Sequence, residues 1–181
     1  MKIILLAYLM IIGLITGLRA QPSEAVGKEK MKIFTALTGR WKGEAFIQTG
    51  PGPVQKATMD EDVQYKLDGM IILIEGIGVG LDPHTNKNKI MHHAMAILSY
   101  DQRTNEYKFN TFLKDGRRAE CWFTAMEINQ YQWGFDIPQG KIKYTIKIDP
   151  GKSTWYEIGE ISMDSGSTWM KFFEMNLTKD K

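Results

Sequence analysis

The side chains able to do chemistry are few, and several sit where an apolar neighbour would be ordinary. Along residues 55–67, Glu61 alternates with Met59, Val63, Tyr65 and Leu67, while Thr58, Asp60, Asp62, Gln64 and Lys66 fill the positions between. On a strand, that spacing turns the acidic side to water and sends Glu61 inward with its apolar companions. A carboxylate placed there loses much of its hydration unless a partner or a proton compensates, so its pKa is expected to be raised. His93, Tyr144 and Arg117 are its available partners. Glu75, inside the apolar run 70–79, poses the same question.

His92 and His93 are adjacent, so on a strand they face opposite ways and cannot both hold one ion from inside. With Met91 and Met95 on its side, His93 is assigned to the interior, as a polar anchor or proton donor; the alternative is a histidine bonded to a neighbouring strand. Glu61, Tyr65, Glu75, His93, Tyr107 and Tyr144 form the candidate ligand-binding set. If Glu61 and His93 met within hydrogen-bond reach, they could serve as an acid–base pair for hydrolysis or isomerisation. A binding role asks only that they line one space. The sequence has no Ser-His-Asp order, phosphate-cradling glycine loop or histidine cluster at metal spacing, so no catalytic residue and no metal ligand is assigned. His84, after Pro83 in a polar stretch, is expected in solvent.

Strands must position these residues. Residues 41–48, 55–67, 70–79, 90–100, 106–114, 117–127, 130–137, 141–148, 153–163 and 167–178 read as strands, separated by turn chemistry such as Asp68-Gly69, Asp115-Gly116 and Asp149-Pro150-Gly151. Residues 141–148 alternate most cleanly, with Ile142, Tyr144, Ile146 and Ile148 inward against Lys141, Lys143, Thr145 and Lys147. Turns this short join only antiparallel neighbours, and a sheet of ten strands removes its two edges by closing. The fold class is therefore all-β: a ten-stranded antiparallel up-and-down barrel. Met31, Ile33, Phe34 and Leu37 recur at helical spacing ahead of it, giving a short helix that caps one end, and Trp41 plugs the barrel there. A barrel of this size is expected to keep interior room that side chains do not fill. The polar stretch 80–89 is expected at the open mouth.

Lys2 precedes an apolar run, residues 3–18, that ends near Arg19-Ala20, which is the pattern of a signal peptide over residues 1–20. Residues 21–30 are polar, with Pro22 and Gly27, and read as a flexible arm; residues 31–181 form a single domain. Loss of Lys2 and Arg19 would bring the 23 basic side chains level with the 21 acidic ones. No basic surplus is left to attract nucleic acid. After signal removal no integral membrane segment is expected, and the location is secreted or periplasmic. Cys121 is the single cysteine, so no intrachain disulfide can form.

Gly39-x-Trp41, following a short helix at the opening of the first strand, resembles the start of lipocalin-like proteins in the broad calycin sense. The run Leu37-Thr38-Gly39-Arg40-Trp41-Lys42-Gly43-Glu44, with the ending Trp169-Met170-Lys171-Phe172-Phe173-Glu174-Met175-Asn176-Leu177-Thr178, resembles bacterial, often exported, lipocalin-like domains with no agreed activity. This resemblance implies a fold and a compartment, and no catalytic residue. The layout is also similar to nitrobindin-like barrels, which hold haem through a histidine near the last strands. Residues 153–178 contain no histidine, so haem and other cofactors are not expected. The functional expectation is an exported barrel that binds a small hydrophobic or amphipathic molecule inside. An enzyme using Glu61 and His93 in the same cavity is the alternative.

Overall fold

The computed structural model describes residues 23–48 and 50–180; the expected signal peptide lies outside them. Helix α1 (Glu24–Met31) runs into a 3-10 helix (Lys32–Leu37), and ten strands follow. They are β1 (Gly39–Ile47), β2 (Gln55–Lys66), β3 (Ile71–Leu81), β4 (Asn88–Asp101), β5 (Glu106–Leu113), β6 (Arg118–Glu127), β7 (Gln130–Ile137), β8 (Gly140–Asp149), β9 (Thr154–Ser162) and β10 (Met170–Lys179). Each strand pairs antiparallel with its neighbours in sequence, and β1 pairs with β10 to close the barrel. The closure is tight at Gly43, where a Cβ would lie 2.9 Å from Leu177 Cα. Glycine there lets the first strand settle on the last.

The core is densest at the helix end. Met31, Phe34 and Leu37 from the helical lead-in meet Trp41, Ile72, Leu98 and Tyr131 in full burial. The Phe34 ring sits 5.0–5.6 Å from the rings of Tyr131, Tyr107 and Phe123, largely edge-on. Trp41 is 1% exposed and donates its indole N–H to the Leu37 carbonyl at 2.8 Å. Three wall tyrosines fasten the plug: Tyr65 donates to the Met31 carbonyl at 2.8 Å, Tyr107 to Lys30 at 2.9 Å and Tyr131 to Ile33 at 2.8 Å. Helix-end carbonyls that a barrel mouth would otherwise orphan are satisfied this way.

Residues 24–30 depart from the flexible arm expected of them, because they form most of α1. The cause is distant in sequence. The Gln102 side chain clamps Ser23, accepting from its backbone N–H at 2.8 Å and donating to its carbonyl at 2.9 Å. Gly27 lies so close to Met70 that a Cβ would meet its methyl at 2.6 Å. Leu67 also departs from expectation: it is exposed, in the 3-10 turn Leu67–Gly69 that ends the β2 ladder.

The opposite end carries the connections 48–54, 82–87, 114–117, 138–139 and 163–169. The polar stretch after β3 is therefore at that mouth, where Asp82 accepts backbone N–H bonds from His84 and Thr85. His84 is exposed, as its surroundings imply.

Candidate functional site

Inward positions change character between the two ends. Toward the mouth, Ala119, Trp133, Phe135 and Phe173 pack on the core yet remain only partly buried, although their strands turn them inward. Their strands turn them into the barrel, so the interior toward the mouth is the candidate recess. On the inner face of β3, Gly76, Gly78 and Gly80 succeed one another and leave room that Glu61, Met59 and Met91 lie across.

Two carboxylates lie at its floor. Glu61 on β2 is 7% exposed and Glu157 on β9 is 6% exposed. Glu157 is held by two indoles: Trp133 donates to its Oε1 and Trp155 to its Oε2, each at 3.2 Å. Burial raises its pKa to about 7 against the pull of those two donors. Glu61 has no donor among the described residues. Burial is the main cause that lifts its pKa to about 8, and the charges of Glu157 and Asp60 add to the lift. Its carboxylate occupies the space over Gly76, its partner across the β2–β3 ladder; a Cβ there would lie 2.7 Å from the carboxyl carbon.

Tyr144 on β8 stacks on Trp133, ring centres 4.2 Å apart and planes at 10°. Gly159, opposite it on β9, makes room for the ring, since a Cβ would lie 2.7 Å from Tyr144 Cε1. Burial, then the Glu157 and Cys121 charges, push the Tyr144 phenol well above its ordinary range. Burial likewise raises the Cys121 thiol to about 11, which makes it inert rather than nucleophilic.

The histidine assignment is corrected by the β3–β4 register. Gly78 pairs with His92, and a Cβ on Gly78 would meet both His92 Cβ and the Met59 sulfur, so His92 shares the inner face with buried Met59. His93 points outward. Its Nε2 lies 3.1 Å from Glu75 Oε1, and the two side chains are 36% and 53% exposed. A bulge between Gly78 and Val79 breaks the alternation that aligned His93 with Met91. Glu75 is likewise outside, and His93 and Glu61 are on opposite sides of the wall, so they cannot form one acid–base pair. Burial lowers the His92 pKa, and the His93 charge lowers it further.

Of the six sequence candidates, Glu61 and Tyr144 thus both face the barrel interior, each beside Glu157. Tyr65 and Tyr107 turn their hydroxyls to the plug, and Glu75 and His93 meet each other on the outer surface. Glu157 and His92 were missed. Glu157 carried a signal, because Trp155, Glu157 and Gly159 alternate just as Met59, Glu61 and Val63 do. Among the described residues no group of three or more His, Cys, Asp and Glu could hold a metal ion. Outside the barrel, a groove of about 640 Å³ crosses β1–β3 between Arg40, Lys42, Asp60, Asp62 and Glu75.

No protein-family model matches the chain, and no curated protein matches its sequence. Among solved structures it is similar to the S-type phycobiliprotein lyase CPES from Guillardia theta, with a TM-score of 0.56 and 13% identity over 89% of this chain and 99% of that one. At that identity the likeness is one of fold: the chain is a closed ten-stranded lipocalin-like barrel.

Proposed function

We propose that this barrel binds a small hydrophobic or amphipathic molecule in the recess of its mouth half, and that it does so outside the cytoplasm. One observation carries the binding reading: inward aromatic side chains, Trp133, Phe135 and Phe173, stay partly exposed on the mouth side of two buried carboxylates. A filled core would have closed over them, because apolar surface turned to an internal space gives up the contacts that packing provides. The stacked Trp133 and Tyr144 rings on one wall favour a flat, conjugated guest. A pigment-like molecule is in keeping with the name of the similar solved structure, and lyase activity is not carried over with the fold. Export rests on the apolar run after Lys2.

Native mass spectrometry of protein purified without denaturant, with uptake of a neutral hydrophobic fluorophore, tests the binding reading. A co-purified mass or saturable dye uptake is expected, with dye emission quenched by Trp133→Ala. Neither a bound mass nor dye uptake would leave the recess without a guest. Export is tested separately, by the N-terminal sequence and cell fraction of the mature chain.

A further inference from the structure

We propose that the guest of this recess is an organic cation that donates N–H bonds, of the amidinium or primary ammonium kind, with Glu61 as its anionic partner. The inference rests on the binding reading and narrows its ligand class.

The argument begins with an imbalance of charge. Two carboxylates lie buried in one interior, and among the described residues no side chain there brings a compensating positive charge. Glu61 is acted on by Glu157 and Asp60, both acidic, and no base lowers its pKa. The elements packed around it bring no cation among the described residues. On β1, Trp41 is its ladder partner, while Arg40 and Lys42 turn outward to ion pairs with Asp60 and Asp180. On β3 the partner is Gly76, with Glu75 outside. Tyr144 and Cys121 face the interior as neutral groups, held so by burial. His92 on the inner face of β4 is driven toward its neutral form. Lys179, at the helix-end rim, keeps its Nζ 5.0 Å from the centre of the Trp41 ring and is not among the charges that act on Glu61.

Glu157 is already served by two indole N–H groups. Glu61 is the unserved one: buried, without a donor, its carboxylate spread over a glycine that leaves it room. Burial and the charges of Glu157 and Asp60 favour its protonated, neutral form. A guest that carries its own positive charge and N–H donors replaces that proton and gains a charge-assisted hydrogen bond in a low-dielectric site. The stacked Trp133–Tyr144 pair and Phe173 offer ring faces and edges to the rest of a planar cation. An inorganic ion fits less well, because the described residues gather no third ligand of the carboxylate, thiolate or imidazole type.

Isothermal titration of the full chain at pH 7 with benzamidine and with its neutral near-isostere benzamide tests the inference. Benzamidine is expected to bind roughly tenfold to a hundredfold more tightly, releasing protons, which two buffers of different ionisation enthalpy reveal. In Glu61→Gln the preference should vanish while benzamide binding persists. Equal affinities in the wild type, or a preference that survives in a folded Glu61→Gln, overturn the cation assignment. The wild-type comparison stands even if the variant fails to fold. Uptake of the neutral fluorophore without an amidinium preference sinks this inference and spares the binding reading; uptake of no probe removes both.

Discussion

Replacing Glu61 by glutamine should make the protein less sensitive to pH, and the size of the effect follows from where the carboxyl sits. Its pKa is lifted from 4.5 to about 8, chiefly by burial. Below pH 4.5 both the native and unfolded chains hold the proton, and the shift costs nothing. As pH rises, the unfolded chain ionises first while the native one keeps its proton, so the native state loses relative stability until about pH 8, above which the difference is constant. Each pKa unit corresponds to about 1.4 kcal/mol, so the full excursion is on the order of 5 kcal/mol. Glutamine is neutral throughout and keeps nearly the same volume. Urea unfolding of both proteins at pH 4.5, 6, 7 and 8 should therefore show near-equal stability at the acid end. The variant's advantage should then grow steadily toward pH 8. Comparing the two proteins at each pH cancels the titrations they share. A stability difference that does not change with pH, or a wild type more stable than the variant at pH 8, would refute the claim that Glu61 is a dry and unserved carboxyl.

Glu157→Gln should behave differently, because an amide NH₂ would confront one of the two indole donors; a loss of about 1–3 kcal/mol is expected even at pH 5, read by the same urea titration. Gly76→Ala should cost about 1–3 kcal/mol through overlap with the Glu61 carboxylate, and the cost should shrink in a Glu61→Ala background, a coupling that a double-mutant cycle measures. Phe34→Ala empties the plug and should cost about 3–5 kcal/mol in thermal or urea unfolding. Cys121, buried and with its thiol raised to about 11, should resist a thiol reagent at pH 8 in the native state and react on unfolding.

The wall of the barrel was legible because period-two alternation and turn residues are local signals. Ile142, Tyr144, Ile146 and Ile148 fall inward along β8, as the alternation with lysine implies, and Asp115-Gly116 turns the chain at φ +88° on the glycine. Glu61 was legible for the same reason. What the sequence withheld depends on register or on distant partners. The β3–β4 register puts His92 inside and His93 outside with Met95, and the bulge beside Gly78 takes Met91 out of that alternation. Helix α1 forms where Gln102 and Met70 receive it, and neither is near it in the chain. Tyr65 and Tyr107 have the inward spacing of ligand-binding residues, but a carbonyl-rich plug lies above them, and local spacing cannot report what a neighbouring element will demand of a hydroxyl.

The plug and the recess are also one structure, which explains why so much aromatic surface is spent on a short lead-in helix. Leu37 ends the 3-10 helix and gives its carbonyl to the Trp41 indole. The Trp41 ring meets Trp155 edge-on at 5.8 Å, and Trp155 in turn donates to Glu157. From plug to floor, the chain of contact is therefore unbroken, and each member is fixed by the one before it. A carboxylate in a wet, open tube would ionise in the ordinary range and prefer no guest over water. Closing the helix end with packed rings is what keeps water from reaching the two acids from below. Their raised pKa values, and any selectivity the recess has, come from that dryness as much as from the acids themselves.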